Sequence, residues 1–155
     1  MAQTKLDWRL LPVFIVACLV VSGFGGLFQP GEWYQGLNQA PWTPPSITFP
    51  IVWGILYLFI AVAGWLIFAR GNRNMRLLWV AQLLVNASWS WVFFGMHQPL
   101  IALIDISILT LLVATLIWLS FRSQPALIVT GWLLTPYLVW LLIASSLNAY
   151  VVIYN

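Results

Sequence analysis

A chain of 155 residues that is 63% hydrophobic and 6% charged has too little polar side chain to cover a water-soluble core, so its composition excludes a soluble globular domain. The length suits one domain, and the single cysteine, Cys18, excludes an internal disulfide framework or a Cys-based metal cluster. The net charge of +3 comes with no nucleotide-binding loop, metal-ligand cluster or nucleophile–base pair, so neither a nucleic-acid partner nor an obligatory cofactor is expected.

The expected fold is an all-α integral membrane bundle over residues 1–155, with five spans at about 10–27, 47–68, 76–95, 100–121 and 126–150. Met1 to Arg9 is a short leader carrying Lys5, Asp7 and Arg9. The apolar run after it continues well past Cys18, so it reads as a span rather than a cleaved signal. Between the first two spans lie Trp33-Tyr34 and then Ala40-Pro41-Trp42-Thr43-Pro44-Pro45. Three prolines in five residues remove backbone donors and hold their neighbours extended, so this stretch is a stiff strap rather than a helix. Span two carries Trp53 and Tyr57 one turn apart on one face. It stops at the basic turn Arg70-Gly71-Asn72-Arg73-Asn74. Span three carries Gln82, Asn86, Trp89, Ser90 and Phe93. The short turn Met96-His97-Gln98-Pro99 makes spans three and four antiparallel neighbours. Asp105 lies inside span four, and Pro136 inside span five frees the Trp132 carbonyl and is expected to kink the helix.

Lys5, Arg9, Arg70, Arg73, Arg76 and Arg122, all the Lys and Arg of the chain, fall on one side of this arrangement and none on the other. The positive-inside rule then places the N-terminus inside, with the strap and the C-terminus outside. At about 1.5 Å per residue, Trp53 and Tyr57, Trp89 and Asn86, and Ala144 and Trp140 all lie roughly 9 to 15 Å below the outer end of their spans. The strap lies on the same side, so the expected site is an outer aromatic pocket.

Tryptophans near the inner ends, such as Trp8, Trp65, Trp79 and Trp118, fit the role of interface anchors. Trp53, Trp89 and Trp140 sit deeper and fit it less well. An amide in mid-membrane is costly, so Asn86 either bonds across helices or lines a polar cavity, and its shared face with Gln82, Ser90 and Phe93 slightly favours the cavity. Asp105 has no intramembrane partner for a proton relay and is expected to be locally hydrogen-bonded or protonated. His97 is open to two readings, a haem ligand or a solvated loop residue.

Trp33-Tyr34 with Pro41-Trp42-Thr43-Pro44-Pro45, Val52-Trp53 and Leu56-Tyr57, Asn86 with Trp89 and Phe93-Phe94-Gly95, then Pro136-Tyr137-Leu138-Val139-Trp140 and Leu147-Asn148 together resemble the tryptophan-rich sensory protein (TspO/MBR) family, bacterial relatives of the mitochondrial translocator protein. The resemblance covers essentially the whole chain. It implies a five-helix bundle, commonly a homodimer in the lipid bilayer, with a ligand pocket opening toward the strap. It also implies binding of porphyrins such as protoporphyrin IX and haem, of benzodiazepine-site drugs and, in animal members, of cholesterol. Carried over position by position, the ligand-binding residues would be Trp33, Tyr34, Trp53, Tyr57, Asn86, Trp89, Trp140 and Ala144. The animal sterol motif requires a basic residue that is absent here, since Leu147 and Tyr150 are followed only by Val151-Val152-Ile153-Tyr154-Asn155.

The implied function is tetrapyrrole-linked or stress sensing through a bound porphyrin. The alternatives are light-dependent porphyrin degradation, with Trp53, Trp89 and Trp140 as photochemical electron donors, and transport of porphyrins or small hydrophobic ligands. A porphyrin would stack on the indoles, each aromatic pair contributing roughly 0.5 to 1.5 kcal/mol beyond burial. With no Lys or Arg outside, its carboxylates are expected at the rim.

Overall fold

The computed structural model describes residues 7–155, so Lys5 and the start of the leader lie outside the described residues. A 3-10 turn at Trp8–Leu10 is capped by the Asp7 carboxylate, which accepts from the Arg9 backbone N–H at 3.0 Å. It leads into α1 (Leu11–Gly26), where Pro12 occupies the first turn and its missing N–H costs nothing. A one-turn helix, α2 (Glu32–Gln35), opens the strap. Then come α3 (Thr48–Arg70), α4 (Arg73–Ser90), α5 (Pro99–Phe121) and α6 (Pro125–Tyr154).

Five helices are long and apolar enough to cross a membrane, and the chain is an all-α integral membrane bundle. The spans expected from hydropathy lie within a few residues of the helices, and the differences have local causes. Span three begins at Arg73 because the Asn72 side chain accepts from the Met75 N–H at 3.0 Å, capping a helix inside the basic turn. Its far end widens into a π-helical turn, Trp91–Gly95. Span five runs past Tyr150 to Tyr154 as one helix that contains Pro136.

The helices pack as a closed ring in the order α1, α3, α6, α5, α4 and back to α1. Ile60, Ile67, Leu109, Leu116, Leu134 and Leu141 fill its centre, while Val13, Leu58, Leu84, Leu111 and Trp132 project outward, as lipid-facing residues must. α3 and α4 are not neighbours in the ring, but they touch across it at Trp79. Trp79 is buried there, donates its indole N–H to the Ile60 carbonyl at 3.0 Å, and meets Phe14 and Phe68 edge-on at 5.4 and 5.8 Å. Its ring lies directly over Gly64, where a Cβ would fall 2.4 Å from it. Arg9, Arg70, Arg73, Arg76 and Arg122 gather at one end of the ring, called here the basic end. The strap closes the other.

Candidate functional site

The strap end is built on α3, whose start after Pro44-Pro45 sets Trp53 and Tyr57 on one face with ring centroids 5.5 Å apart. The Tyr57 hydroxyl donates to Asn86 Oδ1 at 2.7 Å. Asn86 in turn donates through Nδ2 to the Tyr137 hydroxyl at 2.6 Å, and that hydroxyl donates to Gln82 Oε1 at 3.1 Å. Of the two roles open to Asn86, cross-helix bonding is therefore the one it plays: it ties α3 and α6 to α4, and the polar cavity its helix face favoured is occupied by tyrosine hydroxyls. Trp53 also meets Tyr137 edge-on at 6.1 Å. Tyr137, fully buried, is the hub that reading residues singly missed. Its signal was present in the Pro-Tyr-x-x-Trp block, where a mid-span phenol needs a polar partner.

A second cluster joins Trp89 to the strap. The Trp89 indole donates to Asn148 Oδ1 at 3.2 Å, and Asn148 donates to the Pro99 carbonyl at 2.8 Å, fixing α6 to the start of α5. Trp89 stacks on Phe93 at 5.1 Å, and Phe93 takes the edges of Trp33 and Tyr34 at 5.8 and 5.9 Å. Burial among these rings pushes the Tyr34 hydroxyl above the usual tyrosine pKa, so it stays a neutral donor. His97, held in the left-handed region at φ 55°, stacks on Trp33 at 4.3 Å. Among the described residues no group of three or more His, Cys, Asp and Glu is placed to hold a metal ion.

Trp140 and Ala144 lie on the α6 wall. Trp140 is buried, meets Phe49 edge-on at 5.6 Å, and leaves its indole N–H without an acceptor. Beside it a groove of about 200 Å³ opens between α3 and α6, lined by Val52, Leu56, Phe59 and Pro136 and, on its outer side, by the exposed Ile55, Val139 and Ile143. Ala144, half-buried, packs against the same core. Small-molecule sites usually measure about 300–1,000 Å³, so the space at Trp140 is smaller than a tetrapyrrole needs. The eight expected residues thus lie toward the strap end, where the aromatic ones pack largely against one another.

The strap is held down by bonds that are mostly exposed. The Asn38 N–H and side-chain amide donate to Asn155 Oδ1 and the Tyr154 carbonyl at 2.8 and 2.9 Å, and the Asn155 amide returns a bond to the Asn38 carbonyl at 3.2 Å. Trp42 donates to Ser146 Oγ at 3.1 Å and meets Tyr150 edge-on at 5.5 Å. Each such bond contributes only about 0.5–1.5 kcal/mol, and the packing of Trp33 and Tyr34 on Phe93 adds to their hold on the strap. Asp105 lies apart, on the seam of α4 and α5, where Ser88 donates to its Oδ1 at 2.8 Å.

Among the described residues, five spanning helices closed into a ring, with tyrosine, asparagine and tryptophan bonded across it beneath a proline-stiffened strap, define a small membrane bundle with one aromatic end that carries no Lys or Arg. The sequence model of the TspO/MBR family matches residues 14–154, and the chain belongs to that family. It is 35% identical over 145 residues to the tryptophan-rich sensory protein of Cereibacter sphaeroides, covering 93% of this chain and 90% of that one. It is 37% identical over 150 residues to the tryptophan-rich protein TspO of Chlorobaculum tepidum, covering 89% and 90%. The human translocator protein is 31% identical over 133 residues, with 80% and 77% covered.

Proposed function

We propose that the strap end binds a flat apolar ligand of the porphyrin class, protoporphyrin IX or haem, and that the protein serves tetrapyrrole-linked or stress sensing, as a homodimer with its basic end on the cytoplasmic side. The observation that carries this reading is Trp140, an aromatic wall residue whose buried indole N–H has no acceptor beside the groove between α3 and α6. A buried donor without a partner is costly, and a ligand oxygen or ring nitrogen would relieve it. Trp33, Trp53 and Trp89 supply further faces for stacking on a macrocycle, Tyr34 supplies a neutral donor, and Asn86 holds the Tyr57 and Tyr137 hydroxyls of the same wall in place. No Lys or Arg lies at the strap end, so the propionates sit at the mouth in water. The sensory name of the Cereibacter sphaeroides relative agrees with this role.

The test is a dark titration of detergent-purified protein with protoporphyrin IX, following the porphyrin absorbance shift. Saturable binding is expected in wild type and in Trp118→Ala, whose indole is exposed near the basic end, and at least about tenfold weaker binding in Trp140→Ala, a loss of about 1.4 kcal/mol. Equal binding by all three would mean partition into the micelle and would overturn the reading.

A further inference from the structure

An apolar groove lies at the opposite end from the aromatic site. Between α4 and α5 a space of about 460 Å³ is lined by Asn74, Leu77, Leu78, Ala81, Thr115 and Leu119. Thr115 does not make it polar, because its hydroxyl donates back to the Leu111 carbonyl at 2.8 Å. Each wall leads along its helix to an arginine at the basic end. Arg73, Leu77 and Ala81 follow at four-residue steps along α4, and Thr115, Leu119 and Arg122 at steps of four and three along α5, so each set shares a face. Arg73 and Arg122 are both exposed, and the Arg122 guanidinium carbon lies 5.2 Å from the centre of the outward-facing Trp118 ring.

These two charges have no acid to neutralise them. Among the described residues the carboxylates are Asp7, Glu32 and Asp105. Glu32 and Asp105 belong to the strap half, and Asp7 caps the turn before α1. An apolar slot running into the bilayer, each of whose walls continues to an arginine with no acid near it, matches a common membrane molecule, an anionic phospholipid. A second copy of the chain packed on this face fits less well, because it would set Arg73 and Arg122 of one chain against the same arginines of the other.

We infer that the groove between α4 and α5 is a site for one anionic phospholipid, with an acyl chain against Leu77, Ala81 and Leu119 and the phosphate between Arg73 and Arg122. Such a lipid pins the inner ends of two helices whose opposite ends carry Asn86, Trp89 and the Pro99 carbonyl, and so stiffens the bundle from below. The site is independent of what binds at the strap end.

Native mass spectrometry of the full chain, with phosphatidylglycerol and phosphatidylcholine of identical acyl chains, tests it. One phosphatidylglycerol per chain is expected to survive detergent removal, with phosphatidylcholine retained on the order of tenfold less. Each arginine near a lipid surface contributes enough that the double variant Arg73→Gln/Arg122→Gln should retain phosphatidylglycerol on the order of tenfold less than wild type. Arg9→Gln, at the same end but on α1, should retain it like wild type. Ala81→Trp, which fills the groove and keeps both charges, should also lose it. Equal retention of the two lipids, undiminished retention in the double variant or in Ala81→Trp, or an equal loss in Arg9→Gln would each overturn the inference. The melting temperature of each variant, read alongside, reports whether its fold is intact.

Discussion

Gly64→Ala is expected to destabilise the bundle by about 2–4 kcal/mol, although alanine is the better helix former by about 1 kcal/mol. The added Cβ would lie 2.4 Å from the Trp79 ring. That ring cannot step aside cheaply, because Phe14 and Phe68 hold its edges and its N–H is bonded to the Ile60 carbonyl at 3.0 Å. Overpacking costs about 1–3 kcal/mol, and a buried N–H stripped of its acceptor a similar amount, so the clash outweighs the propensity gain. Gly54→Ala in the same helix, where a Cβ meets nothing within 4 Å, should be neutral or slightly stabilising. Thermal melts in detergent decide it, and equal melting of the two variants would show that Trp79 is not the wedge between α3 and α4.

Tyr137→Phe should cost about 2–3 kcal/mol, and Tyr57→Phe only about 1. The asymmetry follows from position in the polar chain. Tyr137 both accepts from Asn86 and donates to Gln82, so removing its hydroxyl leaves two buried groups unpaired beside the Gln82 Nε2, which already has no partner. Tyr57 stands at the end of the chain and only donates, so its loss leaves one acceptor lone. Melting of the two variants under identical detergent conditions checks the order. The reverse order would mean that Asn86 is organised from α3 rather than from α6.

The spans and the gathering of arginines at one end were legible because hydropathy and charge act residue by residue and need no partner. Asn86 was legible only in part. Its depth and helix face follow from spacing, but whether it bonds or lines a cavity depends on what the neighbouring helices present, and the partners come from α3 and α6. Tyr137 was passed over for the same reason: four residues past Leu133 and three before Trp140, it sits in an apolar run whose buried side is set by the ring order of the helices. The π-helical turn at Trp91–Gly95 leaves no trace in a segment that is apolar on all sides. The prolines announced a stiff strap, yet the pairing of Asn38 with Asn155, 117 residues apart, has no local signature. That the rings at the strap end pack largely against one another could not be read from a list of aromatic residues, since the same residues can wall a pocket or pack into each other.

A strap that gates the proposed porphyrin site must lift from the end of α6, where Asn38 and Asn155 hold it, before ligand reaches Trp140 and its neighbours. Replacing both Asn38 and Asn155 with cysteine places a disulfide where their side chains and backbone now exchange bonds. The decisive measurement is the rate of protoporphyrin IX binding in the dark to this double variant, oxidised and then reduced. The oxidised protein should bind at least about tenfold more slowly, a barrier higher by about 1.4 kcal/mol, and reduction should restore the wild-type rate. Identical rates in the two states, with binding still weakened by Trp140→Ala, would show that the ligand enters by another route and that the strap is no gate.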